Sequence, residues 1–405
     1  MNFGYLVTVL AVGVPTAFAL GRFGLRSPLG KTAFWLGMLI NEAPFYPLVF
    51  LLGSTVLAVV DHDITAPPDF FSLALAVLAS VGLVVLQVRS FSARGELAAA
   101  LTDAGLPEQA RRVLARGRGI GGAWRAARTI LLPLARIPRR VGRVKNLRYG
   151  PNRLQRLDVY RHAQTGPGAP VLVQLHAGGF RSGSKSNETR YLLGRLAQRG
   201  WVCVSADYRL RPEATFDDHL SDVGGILAWV RDQVQEYGGN PADVAMVGTS
   251  AGGTLAVIAA VAPDAIAAAL KAERPFTATE PLPDVRAVIG LYGYYDRGLG
   301  VHPVPIDRTG PTSPPTLLVT AAHDTIAPVG PTHELASRLR AVSTQTTVHA
   351  VLPWAQHSFD VLRSVRVEAI TDAIEEFLEA TRSPRASPRP RSSDRLETMG
   401  QKPSL

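Results

Sequence analysis

Val244-Ala245-Met246-Val247-Gly248-Thr249-Ser250-Ala251-Gly252-Gly253-Thr254-Leu255-Ala256-Val257-Ile258-Ala259-Ala260 is the stretch whose reading decides the fold. A short apolar run passes straight into a helix-prone run of small and aliphatic residues, with a serine at the turn between two glycines. A strand-to-helix turn that sharp lifts the Ser250 hydroxyl clear of the sheet and sets the backbone N–H of Ala251 beside it, as a nucleophile attacking a carbonyl requires. A Gly-x-Ser-x-Gly pattern also arises by chance, so its weight depends on its surroundings.

From Val141 onward, short apolar runs alternate with longer helical patterns, which predicts strands joined through helices into a largely parallel sheet. Residues 141–149 and 153–161, joined by Gly150-Pro151-Asn152, read as an antiparallel hairpin at one edge. Residues 171–176, 202–206, 244–248, 285–291, 316–321 and 346–352 complete eight predicted strands. Helices are predicted over 191–199, 216–235, 252–261, 332–341 and 365–380.

A serine hydroxyl is a poor nucleophile at neutral pH and needs a base, usually histidine, that is oriented by a carboxylate. In open parallel sheets, ligands bind at the carboxyl ends of the strands. Asp324 follows the seventh predicted strand and His357 the eighth, so the chain order is Ser250, Asp324, His357. Asp360 is the alternative acid, placed after the histidine. His349 falls within a strand, His323 adjoins the candidate acid, and His62, His162, His219, His302 and His333 fall in loops, turns or helices. The oxyanion of a tetrahedral intermediate also needs N–H donors. Ala251 offers one, and Leu175-His176-Ala177-Gly178-Gly179-Phe180, after the third strand, has the small residues that let backbone approach a substrate. Phe180 and Tyr208, with Phe216 and Trp354, are candidates for lining an acyl pocket, set against an ordinary place in the core.

The chain has 405 residues, 46% of them hydrophobic, enough for one large core and something more. The surplus is at the N-terminus, where residues 3–20, 44–60 and 70–88 are uncharged apolar runs with the composition of membrane spans. A signal peptide is the competing reading of the first run, although it lacks a basic leading region. Arg22, Arg26 and Lys31 follow the first run, Asp61, Asp63 and Asp69 separate the next two, and Arg89 and Arg94 follow the last. By the excess of Lys and Arg in cytoplasmic loops, this predicts a multi-pass cell-membrane protein with its serine domain on the cytoplasmic side.

Fourteen basic residues against three acidic ones between Arg89 and Arg148 account for the whole net charge of +10. Residues 91–140 thus read as a basic amphipathic linker or cap, lying either on anionic headgroups or as an ordinary helix with a solvated basic face. No nucleic-acid motif accompanies the charge, and no nucleic-acid partner is expected. Cys203, the single cysteine, sits in an apolar run and reads as a buried strand residue. No Cys/His cluster suggests a metal, and no cofactor is expected. Residues 381–405, dense in Ser, Pro and Arg, read as a disordered tail.

His176-Ala177-Gly178-Gly179-Phe180 resembles the HGGG motif of hormone-sensitive-lipase-like esterases, and Asp207-Tyr208-Arg209-Leu210-Arg211-Pro212-Glu213 resembles their DYRLAPE segment. Tyr237-Gly238-Gly239-Asn240-Pro241, Ser250-Ala251-Gly252-Gly253 and Pro314-Pro315-Thr316-Leu317-Leu318-Val319 continue the likeness, which spans roughly residues 141–380. The resemblance implies an α/β-hydrolase fold with an eight-stranded, mostly parallel sheet. It implies Gly178 and Gly179 as oxyanion donors with Ala251, His176 as a shaping residue, and structural roles for Asp207, Glu213 and Asp222. Ala177 stands in place of the motif's first glycine, Thr249 makes a GTSAG elbow, and residues 296–313 are short for the lid such enzymes carry. A cap built mostly from residues 95–140, touching the membrane and roofing the site, is therefore expected.

The chain reads as a membrane-anchored serine esterase or lipase acting on a short- to medium-chain acyl or lipid ester. The same triad also serves acyltransferases, amidases and formamidases, and an idle hydrolase domain used as a membrane interaction module is the reading of another class.

Overall fold

The computed structural model describes residues 3–21, 29–62, 64–134, 137–273, 280–297 and 302–382. The tail expected beyond residue 380 lies almost wholly outside the described residues. Eight strands, β1 (Val141–Arg148), β2 (Arg156–His162), β3 (Ala169–Leu175), β4 (Val202–Ala206), β5 (Gly239–Thr249), β6 (Val285–Leu291), β7 (Thr316–Ala321) and β8 (Thr347–Leu352), form one sheet. Their order is β1-β2-β4-β3-β5-β6-β7-β8, antiparallel where β2 meets β1 and β4 and parallel elsewhere. β4 lies on one side of β3 and β5 on the other, so the winding reverses there. Loops leaving β3 and β5 in opposite directions open a crevice at their carboxyl ends. The register Leu175↔Gly248 brings the glycine loop after β3 beside the serine turn after β5.

Both faces of the sheet are apolar, as a parallel sheet covered by helices requires. Val171, Val173, Met246 and Leu318 pack with α9 (Phe216–Gln233), α10 (Ala251–Val261), α11 (Pro263–Glu273) and α12 (Val329–Val342). Leu172, Cys203, Val247 and Val319 pack with α8 (Arg190–Gln198) and α13 (Val365–Ala380). Cys203 is fully buried, as its apolar run implies. α11 is absent from the sequence expectation, since an alanine-rich stretch behind Pro263 carries little periodicity.

The N-terminal region forms α1 (Phe3–Leu20), α2 (Gly30–Glu42), α3 (Phe45–Val60) and α4 (Pro67–Ser90), then α5 (Ala93–Asp103), α6 (Pro107–Ala115) and α7 (Gly119–Leu131). α1, α3 and α4 share a core through Val9, Leu51 and Leu83 and leave Phe50, Val56, Phe71 and Leu78 exposed. Among the described residues, by length and composition alone, two helical stretches, Phe3–Leu20 and Pro67–Asp103, suit a membrane crossing, or up to four if each of two sharply bent helix pairs is one span. α2 and α3 meet at 89°, with Pro44, which has no N–H for a continuing ladder, at the corner.

Among the described residues, the basic segment packs on α13 and β8 rather than over Ser250, unlike the expected cap. α5 and α6 pack on α13, and α5 also covers β8. Arg94 reaches Asp372 at 2.8 Å, and Arg116 reaches Glu375 at 3.1 Å. The Asp372 side chain is wholly buried, and a carboxylate in that position needs cations around it. Part of the segment's positive charge is therefore used inside the molecule, Arg116 alone meeting Asp372, Glu375 and Glu376 some 260 residues away.

Candidate active site

Ser250 has φ 51° and ψ −117°, held between β5 and α10, and its N–H donates to the Leu291 carbonyl at 2.9 Å. The flanking glycines are steric requirements. A Cβ on Gly248 would stand 2.0 Å from the Gly252 carbonyl oxygen, and one on Gly252 would stand 2.3 Å from that of Leu175. The turn is tight because backbone fills the space side chains would occupy.

His357 Nε2 lies 3.0 Å from Ser250 Oγ, and His357 Nδ1 lies 2.8 Å from Asp324 Oδ2. Asp324 Oδ1 accepts the backbone N–H groups of Ile326 and Ala327, each at 2.7 Å. All three side chains are almost fully buried. The loops after β5, β7 and β8 thus converge into a hydrogen-bonded line of nucleophile, base and carboxylate. Asp360, the alternative acid, faces elsewhere: it accepts the Tyr292 hydroxyl and, at 3.2 Å, the Thr189 N–H.

In the loop after β3, Gly178 and Gly179 adopt φ of 127° and 60°. The Ala177 N–H is spent on Glu188 Oε2 at 3.4 Å, whereas among the described residues no protein acceptor engages the N–H groups of Gly178 and Gly179. The alanine in place of glycine therefore falls at a position whose N–H is already used. His176 shapes this loop: its ring stacks on Tyr208 at 4.2 Å, and burial holds its pKa below the ordinary range.

Tyr208 and Phe180 are corrections to the acyl-pocket expectation. Tyr208 is fully buried, and its hydroxyl donates to the His176 carbonyl at 2.9 Å. Phe180 is buried against His219 and Phe216, with ring centroids 5.1 and 5.6 Å away. Tyr208 props the loop through His176, and Phe180, at the loop's end, anchors it against α9. Asp207 and Asp222 are structural in place, bound to Lys185 and to Arg209 with Gln155, while Glu213 is exposed.

Three features near the site have no local signal in the sequence. The first is Phe34 on α2, with its ring 6.0 Å from that of His357. The second is a set of ties from the N-terminal helices to the segment carrying His357. Asn41 Nδ2 donates to the Trp354 carbonyl at 3.1 Å, Arg89 lies 3.7 Å over the Trp354 ring, and buried Glu42 accepts from Ser364 and Arg366. The third is a buried acid pair. Desolvation, then the charge of Asp360, pushes Glu188 up to about 7, and desolvation pushes Asp360 up to about 6.

The BD-FAE family model matches residues 157–299, which include the glycine loop and Ser250 and stop before Asp324 and His357. The probable carboxylic ester hydrolase LipM of Mycobacterium tuberculosis is 31% identical over 412 residues, covering 92% of this chain and 93% of its own. The chain belongs to the LipM family of carboxylic ester hydrolases. So large a coverage takes in the N-terminal helices as well as the sheet, so the LipM-family likeness is not limited to the hydrolase fold. Esterase LipC of the same organism is 34% identical over 273 residues, covering 59% of this chain and 65% of LipC. Among solved structures, esterase B of Lactobacillus rhamnosis superposes with a TM-score of 0.50 at 19% identity, covering 69% of this chain and 96% of that one. That likeness speaks to the α/β-hydrolase fold, to which the mostly parallel sheet of this LipM-family chain conforms.

Proposed function

We propose that this protein is a membrane-anchored serine carboxylester hydrolase working through an acyl-enzyme on a short- to medium-chain acyl or lipid ester. The observation that carries the reading is the line from Ser250 through His357 to Asp324, with contacts of 3.0 and 2.8 Å. Ser250 Oγ attacks the ester carbonyl as His357 Nε2 takes its proton. Asp324, fixed by two backbone N–H groups, accepts from Nδ1–H and stabilises the imidazolium. The N–H groups of Ala251, Gly178 and Gly179 receive the oxyanion. His357 returns the proton to the leaving alcohol, and water, deprotonated by the same nitrogen, releases the acid and restores Ser250.

Membrane anchoring is supported by the outward-facing Phe, Val and Leu side chains of α1, α3 and α4. The charges flanking these helices favour a cytoplasmic hydrolase domain, which reporter fusions near residues 63 and 94 test by their sidedness. Catalysis is tested on the purified full chain with p-nitrophenyl esters of graded acyl length and a fluorophosphonate probe. Ser250→Ala abolishes labelling and lowers turnover by several orders of magnitude; an unchanged rate overturns the assignment.

A further inference from the structure

A cleft of about 1080 Å³ separates the corner of α2 and α3 from residues 132–134 and 137–139 and from α8. Leu39, Ile40, Leu132 and Ile137 are among its apolar walls. Arg128, Arg139, Arg195 and Arg363 also line it, and among the described residues no carboxylate does. Arg195 and Arg363 are already engaged, by Glu375 at 2.8 Å and Glu368 at 3.1 Å. Arg128 and Arg139 are exposed, and among the described residues neither has a carboxylate partner.

Two uncompensated cations beside apolar walls match an amphiphile with an anionic head. A free inorganic anion would leave the apolar walls uncovered. The surroundings are of the same character. α7 docks through Gly122 and Thr129, the latter donating to Glu368 at 2.5 Å. Its opposite side turns Ile120 and Trp124, 90% and 73% exposed, outward about two turns and one turn before Arg128. An aromatic and an aliphatic residue followed by arginine on an exposed helical face is a pattern suited to the headgroup level of a bilayer.

We infer that the cleft binds an anionic phospholipid, with its phosphate between Arg128 and Arg139 and its acyl chains along Leu39, Ile40 and Leu132. The inference rests on the membrane-anchored reading above. Each arginine near an anionic headgroup contributes roughly 1 kcal/mol, so two produce a preference of at least about tenfold over a zwitterionic lipid.

The test uses the full chain in non-ionic detergent, with lipid adducts counted by native mass spectrometry. The probes are a short-chain diether phosphatidylglycerol, which an esterase cannot cleave, the matching phosphatidylcholine, and inorganic phosphate as competitor. Phosphatidylglycerol is expected to bind at least about tenfold tighter than phosphatidylcholine. Arg128→Gln/Arg139→Gln is expected to abolish that preference, Leu132→Glu to weaken binding of the anionic lipid, and phosphate not to displace it. Equal binding of the two lipids, a preference untouched by the double substitution, or displacement by phosphate overturns the inference. All three substituted positions are exposed, and unchanged thermal unfolding confirms that the variants fold. Vesicle flotation separates the two readings. A protein that floats yet shows no headgroup preference sinks the cleft alone, while one that stays soluble yet binds the anionic lipid through Arg128 and Arg139 sinks the anchoring alone.

Discussion

Phe34 on α2 stands edge-on to the imidazole of His357, with ring centroids 6.0 Å apart and planes at 66°. A helix from the N-terminal region thus reaches the base of the candidate site. For the proposed ester hydrolysis, Phe34 is expected to form a wall beside the scissile bond. Phe34→Ala is expected to lower kcat/KM by about tenfold for the longer acyl esters and less for acetate, consistent with losing apolar contact in a pocket. Steady-state kinetics across a p-nitrophenyl ester series measure this; a uniform loss at every chain length counts against a wall.

Asp324 and Asp360 both lie within the His357 neighbourhood, but only Asp324 accepts from Nδ1. Asp324→Asn is expected to leave KM near its starting value and reduce kcat about 10⁴-fold through loss of the correct tautomer. Asp360→Asn keeps an acceptor for the Tyr292 hydroxyl, so its kcat is expected to fall far less. The opposite ranking in kcat would make Asp360 the acid.

Glu188 and Asp360 are raised to about 7 and about 6, chiefly by desolvation. A carboxyl whose folded pKa is raised contributes most to stability below its unfolded pKa, and that contribution is lost as pH climbs through the folded value. For this pair the window runs from about pH 4 to about pH 7. Glu188→Gln keeps an oxygen for the Ala177 N–H and removes the charge. Its thermal unfolding midpoint should therefore gain on the parent's between pH 5 and pH 8; a constant difference across that range would refute the assignment.

Arg366 is fully buried, and its guanidinium pairs with Glu42 at the corner of α2 and α3. Glu42→Ala leaves that charge uncompensated and is expected to cost about 3–5 kcal/mol. Glu42→Ala with Arg366→Met removes both charges and should recover much of the loss. Thermal unfolding in detergent reads both values, and a double variant no more stable than the single one would show that the pair's geometry, not its charge, matters.

The sequence by itself determined the eight strands, the serine elbow, the order Ser250, Asp324, His357 and the glycine loop after β3. Each is written in a local pattern: apolar runs of strand length, a Gly-x-Ser-x-Gly turn, a polar residue at the end of a strand. The three apolar N-terminal runs fall on α1, α3 and α4, of which α3 is too short to count as a crossing by itself. Only the tertiary structure decided that Asp324 rather than Asp360 meets the imidazole, and that Tyr208 and Phe180 are buried at the glycine loop against His176 and His219. It also decided that α2 reaches His357, and that Arg112, Arg116 and Arg125 of the segment from 95 to 140 turn toward α13. These outcomes depend on side chains that meet across hundreds of residues, where burial demands a partner for Asp372, for Arg366 and for the Trp354 carbonyl. Such demands leave no period in the chain, because they arise only when folding removes water from both partners at once.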